Sequence, residues 1–248
     1  MSDTVEKLLR VPVAGLRLGS QKLDRDASHY LTHVHRTVVG AQFSAFDVES
    51  ATEGVATLIG SEGACATISV ENLRESSRVP RQRLILIQAF GKGSRIDGIV
   101  RDATVLDVTD VWIVSTVRSA VTGSLDTPGR MQRWAKIAVE AARQCERGNI
   151  PKIEGIIELR SAFESLKSFG GSKWLLSPLT SRRFSDALAA RACMDKALVI
   201  GPEGGFDPDE CRMAEAEGFE AVRLGSRVLR SETAVTAALG AIAAFSEP

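Results

Sequence analysis

The sequence predicts an α/β protein. A small β-rich domain, residues 1–75, precedes a domain, residues 76–248, built on a doubly wound, mostly parallel sheet. Three observations carry this reading. From Leu84 onward strand-like and helix-like stretches alternate, an order that brings strands into parallel register with helices on both faces. The run Ala197 to Ile200 is continuously apolar, the pattern of a strand covered on both sides. Before about Glu75 the texture differs, with short β-like runs separated by glycines and polar residues.

In the first part, Val11 to Leu18, Ala41 to Val48, Gly54 to Ile59 and Ala64 to Val70 predict strands, and Asp26 to about Val34 predicts one helix. The segment Glu71 to Arg83 is polar and carries Arg74, Arg78, Arg81 and Arg83 around Pro80. It reads either as a solvated linker or as an arm that touches phosphates.

From Leu84 the predicted order is strand (LILIQAF), helix (Arg95 to Leu106), strand (Val111 to Ser115) and a long helix (Arg130 to Arg147). On that helix Trp134, Ala138, Ala141 and Cys145 form an apolar stripe, while Arg133, Lys136, Glu140, Arg143 and Arg147 line another face. This charged face suits either solvent or an RNA backbone. Strands near Gly155 to Leu159 and Lys173 to Leu176 come next, with helices at about Ser161 to Phe169 and Arg182 to Cys193.

The stretch from Ala197 to Phe245 holds the chemistry. Its first strand stops at Gly201-Pro202-Glu203-Gly204-Gly205, where proline fixes one φ and the glycines allow close approach to bare backbone. Asp207 offers an N-cap, Pro208 suits the first helical position, Glu210 completes a capping box and Gly218 supplies the stop. A second strand, Phe219 to Leu224, leads through Gly225 and Ser226-Arg227-Val228-Leu229-Arg230 to Ser231, a candidate cap for the last helix. That helix is rich in alanine, with Val235, Leu239, Ile242 and Phe245 on one stripe.

Composition removes several classes. The 248 residues carry 31 basic and 31 acidic side chains, so no global field draws the protein to nucleic acid or membrane, and any RNA contact must use a local patch. The cysteines Cys65, Cys145, Cys193 and Cys211 are scattered, with no C-x-x-C pair, which fits a reduced, cytoplasmic setting better than a zinc ribbon or disulfide frame. MSDTVEKLLR lacks the apolar core of a signal peptide, and Ala234 to Phe245 is too short to span a bilayer. His29 and His33 share a helical face but lack a metal-site partner pattern, so no metal is expected. Gly91-Lys92-Gly93-Ser94 fails as a phosphate loop, since Leu86 stands where glycine is required and no Ser or Thr directly succeeds Lys92. A nicotinamide oxidoreductase is disfavoured because no G-x-G-x-x-G comes after an early strand.

The turn bearing Glu203 and the turn bearing Arg227, Arg230 and Glu232 come after successive strands, so both can open into one crevice. GPEGGF with LGSRVLRSETA downstream resembles the C-terminal signature of the RsmE-type ribosomal RNA small-subunit uridine N3-methyltransferases of the SPOUT superfamily. RWAKIAVEAARQCERGNIP is similar to the same family's pattern, and His29 to Arg36 resembles its histidine-containing helix running into an arginine. The resemblance runs from about Lys92 to Phe245 and more loosely back to about Arg17. One segment departs: Asp102-Ala103-Thr104-Val105-Leu106-Asp107-Val108 stands where the family reads Lys-Ala-Thr-Glu-Leu-Gly-Val.

The resemblance implies a deep trefoil knot in the C-terminal domain, an N-terminal PUA-like RNA-binding barrel and a homodimer. It implies methyl transfer from S-adenosylmethionine to N3 of a uridine in small-subunit ribosomal RNA, free or in the assembled subunit. Uracil N3 carries a proton, so the reaction needs a base and a partner for charge on the carbonyl oxygens. Glu203 and Arg230 are the candidates, with Glu232 as alternative base; each can instead serve to hold the turns together. Motif position puts Leu176, Ile200, Gly201, Gly205, Leu224, Gly225, Val228 and Leu229 around the cofactor, and Arg36, Arg81, Arg133, Arg143 and Arg147 are the candidates for RNA contact. An RNA-binding relative without catalysis is the alternative that the departing segment leaves open.

Overall fold

The computed structural model describes residues 8–63, 65–91, 95–119, 128–190 and 195–246. The expected contributions of Ala64, of Lys92, Gly93 and Ser94, and of Cys193 lie outside the described residues. The chain forms two compact units, Met1–Val79 with Ala142–Ile150, and Pro80–Ala141 with Pro151–Pro248. The first division falls at Val79 rather than at residue 75, and the return of 142–150 to the first unit has no signal in the sequence pattern.

The first unit contains β1 (Arg10–Pro12), β2 (Gly19–Lys22), α1 (Arg25–His29), β3 (Gln42–Asp47), β4 (Thr52–Glu62), β5 (Cys65–Val70) and β6 (Arg74–Glu75). The sheet order is β1-β3-β4-β5-β2, with β6 beside β4; β1 and β3 are parallel and the other pairs antiparallel. The strand expected over Val11 to Leu18 is broken because Gly15 takes φ +64 and hands its N–H to Asp47 Oδ2 at 3.0 Å. Asp24 caps α1 through the N–H of Ala27, and Tyr30–Val34 continues it as a π-helical turn. Val11, Leu31, Phe43, Ala45, Leu58 and Ile68 form the core.

Arg10 is buried in this unit. Its guanidinium donates to the carbonyls of Ala142 and Arg147 at 3.3 and 3.0 Å, pairs with Glu53 at 3.5 Å and lies 3.9 Å from the centre of the Phe46 ring. Burial pushes its pKa below the usual arginine value, and the Glu53 carboxylate pulls it back up. Glu53 is equally buried and also accepts from Arg74 and Ser76.

The second unit runs β7 (Leu84–Ala89), α2 (Arg95–Val105), β8 (Asp110–Ser115), α3 (Pro128–Cys145), β9 (Lys152–Glu158), α4 (Leu159–Glu164), β10 (Ser172–Leu176), α5 (Phe184–Ala190), β11 (Lys196–Ile200), α6 (Pro208–Ala216), β12 (Glu220–Val222) and α7 (Ser231–Ser246). Residues 142–145 at the end of α3 belong to the first unit. The sheet order is β12-β10-β11-β7-β8-β9 and every ladder is parallel. All six residues of β7 and all five of β11 are buried, which explains their lack of polar alternation.

Trp134, Ala138 and Ala141 of α3 are buried as their spacing predicts, but Cys145 is exposed. Likewise Val235, Leu239 and Ile242 of α7 are buried, whereas Phe245 is 53% exposed. The helix expected over Ser161 to Phe169 is shorter, because Leu159 already opens α4 and the chain turns after Glu164. No helix among the described residues is long and apolar enough to cross a membrane.

Removing one member of a buried ion pair leaves the other charge uncompensated, so Glu53→Ala is expected to destabilise the first unit by about 3 to 5 kcal/mol. Urea denaturation monitored by circular dichroism checks this; a loss below about 1 kcal/mol would show that Arg10 is held by its carbonyl partners and Phe46 alone.

Candidate active site

A cleft of about 370 Å3 opens at the carboxyl ends of β10, β11 and β12. The parallel sheet sets this edge, and the segments leaving the three strands floor the cleft: Leu176 to Leu179, Ile200 to Phe206, and Arg223 to Leu229. Arg118 enters from the loop after β8, Cys211 from α6, and Ser231 and Ala234 from α7. Among the lining residues are Leu176, Ile200, Gly201, Gly205, Leu224, Gly225, Val228 and Leu229, together with Glu203.

Turn chemistry explains the bare backbone. Gly205 takes φ +69 and Gly225 φ +73, and a Cβ built at either would meet nothing within 4 Å, so both present open backbone. At Gly201 a Cβ would lie 3.0 Å from the Phe206 ring, so the ring occupies the space that a side chain would need. The N–H of Gly205 closes the turn onto the carbonyl of Pro202 at 2.9 Å.

Long-range contacts hold this turn. Glu203 forms an ion pair with Arg95 at the start of α2. Arg118 donates to the Gly204 carbonyl at 2.9 Å and lies 3.6 Å from Asp207 Oδ2. The Ser231 hydroxyl donates to the Gly201 carbonyl at 3.2 Å and accepts from Gln88 Nε2 at 2.8 Å. Finally, Glu210 accepts from the Asp207 N–H with one oxygen, completing the capping box, and from the Val117 N–H with the other, both at 2.8 Å.

Ser231 therefore departs from its expected role. It is the first residue of α7, and its hydroxyl links β7 to the turn after β11 rather than capping the helix. Arg95, Arg118 and Gln88 escaped the sequence reading. A signal existed for Arg118, which lies just past the carboxyl end of the strand VWIVS, where α/β sheets place ligand contacts.

The remaining candidates separate. Arg230 is exposed just before α7 and does not line the cleft. Glu232, in the first turn of α7, is half-buried, with Oε2 buried and lacking a hydrogen-bond partner. Arg36 is exposed in the first unit and Arg81 in the second, while exposed Arg133 pairs with Asp97. Arg143 is half-buried, its guanidinium 4.9 Å from the centre of the Tyr30 ring. Arg147 is 3% exposed with Nε on Asn149, so packing withdraws it from any phosphate. His29 stacks on His33 at 4.9 Å, and no group of three metal-ligating side chains gathers among the described residues.

In the departing segment, Asp102 accepts from Thr236 of α7 at 2.6 Å and pairs with Arg101. Asp107 takes φ +59, a conformation in which glycine is unstrained, and Val105 is 46% exposed. The Cys211 thiol is pushed up by burial and by the nearby Glu215 and Glu210 carboxylates.

A parallel sheet with a cleft at its carboxyl edge defines a class of protein, and residues 77–243 match the model of the RNA methyltransferase domain family. The chain is 30% identical over 233 residues to Ribosomal RNA small subunit methyltransferase E of Synechocystis sp., covering 88% of this chain and 71% of that protein. A Legionella pneumophila methyltransferase solved with bound SAM superposes with a TM-score of 0.86 at 27% identity, over 96% of this chain and 98% of that one. Ribosomal RNA small subunit methyltransferase E of Neisseria gonorrhoeae, bound to S-adenosyl methionine, gives a TM-score of 0.84 at 26% identity, over 95% and 96%. The chain belongs to the ribosomal RNA small subunit methyltransferase E family. It spans about two thirds of the length of curated relatives that it matches.

Ser231→Ala removes the acceptor of a buried Gln88 donor and the donor to Gly201, and is expected to lower stability by about 1 to 3 kcal/mol. A thermal or urea melt checks this, and an unchanged midpoint would mean that the hydroxyl is dispensable to the turn.

Proposed function

We propose that the protein transfers a methyl group from S-adenosylmethionine to N3 of a uridine in small-subunit ribosomal RNA. The observation that carries this reading is the cleft, where apolar side chains from three strand ends surround two glycines with positive φ. Its volume falls in the range of small-molecule sites, about 300 to 1,000 Å3. Leu176, Ile200, Leu224 and Val228 suit an adenine ring, while the open backbone of Gly205 and Gly225 suits its hydrogen-bonding edge. The residues thus fit the cofactor.

S-adenosylmethionine, when bound, supplies an electrophilic methyl on a sulfonium sulfur. Glu203, aimed by Arg95, takes the N3 proton as the new N–C bond forms; Glu232 is the alternative base, its unpartnered oxygen lying in the first turn of α7. Arg230 meets the charge that develops on a uracil carbonyl oxygen. The N3 edge is the Watson–Crick edge, so the uridine must be unpaired or flipped out to react. The exposed guanidiniums of Arg36, Arg81 and Arg133 are suited to phosphate contact.

The first unit is read as a PUA-like RNA-binding module and the second as a SPOUT domain with its trefoil knot. Exposed Val228 and Phe245 near and on the apolar α7 support a homodimer, acting in the cytoplasm on ribosomal RNA or an assembling small subunit. Methyl transfer to small subunits from a strain lacking the activity tests the whole reading. Binding of RNA and cofactor without transfer would instead favour a binding protein that has lost catalysis.

Two variants probe the site. A β-branched side chain at φ +69 adds strain and obstruction, so Gly205→Val is expected to weaken S-adenosylmethionine binding at least about tenfold in a folded protein. Unchanged affinity by calorimetry would remove Gly205 from the site. Arg230→Ala is expected to melt near the wild type and bind cofactor within a few-fold of it, yet lose roughly a hundredfold or more in single-turnover methylation. Lysine keeps the charge but not the planar fork, so Arg230→Lys should recover only part of the rate. Near-normal transfer by folded Arg230→Ala would end its catalytic assignment.

A further inference from the structure

Three arginines, Arg118, Arg223 and Arg227, and one carboxylate, Glu203, contribute to the lining of the cleft. Glu203 is paired with Arg95, and Arg118 is engaged by Gly204 and Asp207, so neither balances the other two. Arg227 is exposed. Arg223 is half-buried, and its Nε is buried with no hydrogen-bond partner.

Its neighbours show that this is not a general property of the region. Arg182 pairs with Glu220 at 2.8 Å and Arg183 with Asp186 at 2.9 Å, whereas Arg223 has no carboxylate within ion-pair distance among the described residues. Its backbone is pinned, with the N–H on the Arg182 carbonyl at 2.8 Å and the carbonyl accepting from the Phe184 N–H at 3.0 Å. The preceding Val222 carbonyl accepts from Ser177 at 2.8 Å. The side chain thus leaves a rigid point at the end of β12, which lowers the ordering penalty of binding through it. A buried guanidinium N–H left without an acceptor is unfavourable, and beside a ligand cleft its natural complement is an acceptor on the ligand.

We propose that Arg223 binds the α-carboxylate of the cofactor's methionine portion and so makes the cleft select ligands that carry the whole amino acid. This rests on the cofactor reading above. A guanidinium meets a carboxylate through charge-assisted hydrogen bonds, the strongest complement available to it. An RNA phosphate is the other anion at hand, but it calls for an exposed group such as Arg227, not one whose Nε is out of contact with solvent.

Calorimetry with three ligands separates these cases. S-adenosylmethionine and S-adenosylhomocysteine carry the carboxylate, while 5′-methylthioadenosine keeps the adenosine and thioether without it. Arg223→Met is expected to weaken the first two about ten- to hundredfold and the third less than about twofold, with Arg223→Lys intermediate for the first two. Melting curves without ligand establish that each variant is folded; should Arg223→Met fail to fold, Arg223→Lys carries the same comparison. Equal losses for all three ligands would make Arg223 a shaping residue and overturn the proposal, as would full affinity for S-adenosylhomocysteine in Arg223→Met. Failure of the wild type to bind any of the three would overturn the cofactor reading itself, an outcome distinct from wild-type binding without the predicted selectivity.

Discussion

Every ladder of the six-stranded sheet is parallel, so the carboxyl ends of all six strands lie along one edge, and the loops that leave them share one side of the unit. The order β12-β10-β11-β7-β8-β9 puts β7, the first strand of the unit, directly beside β11, the fifth. Chain segments distant in sequence thereby become neighbours at the same edge, and their side chains can brace one turn. Gln88 at the end of β7 reaches Ser231, Ser231 reaches Gly201 at the end of β11, and Arg118 past β8 reaches Gly204. Strand order thus adds to the turn's own Gly205–Pro202 bond a set of braces from distant parts of the chain.

Local features were legible in the sequence because their causes are local. The Asp207 to Glu210 capping box, the stop at Gly218 with φ +81, and the buried stripe of α7 as far as Ile242 each depend on residues within a few positions of one another. The cleft residues were legible for a related reason: glycines directly after apolar strands mark where backbone must be bare. The ion pair of Arg95 with Glu203 joins residues far apart in sequence, and nothing in either neighbourhood announces it. Charge on a helix face was equally misleading at Arg147, which lies past the end of α3, is 3% exposed and turns its Nε to Asn149.

Asp107 illustrates how a departure from a family pattern can be absorbed. At φ +59 a non-glycine residue carries strain of order 1 kcal/mol, a small fraction of the stability of a domain. Asp102 gains Thr236 as a partner, which ties α2 to α7. Of the other two replacements, Val105 ends α2 with its side chain 46% exposed, and Asp107 lies in the turn beyond the helix.

The path of residues 142–150 bears on how the protein is made. The buried guanidinium of Arg10 finds two of its acceptors, the carbonyls of Ala142 and Arg147, more than 130 positions downstream. Domains emerge from the ribosome amino end first and generally fold as they emerge. Here the leading unit lacks those acceptors until synthesis has passed the middle of the chain, so a nascent fragment ending near Val79 holds a cation without its full set of partners. The unit that appears first is completed only after β7 and β8 of its successor have emerged, which interleaves the maturation of the two.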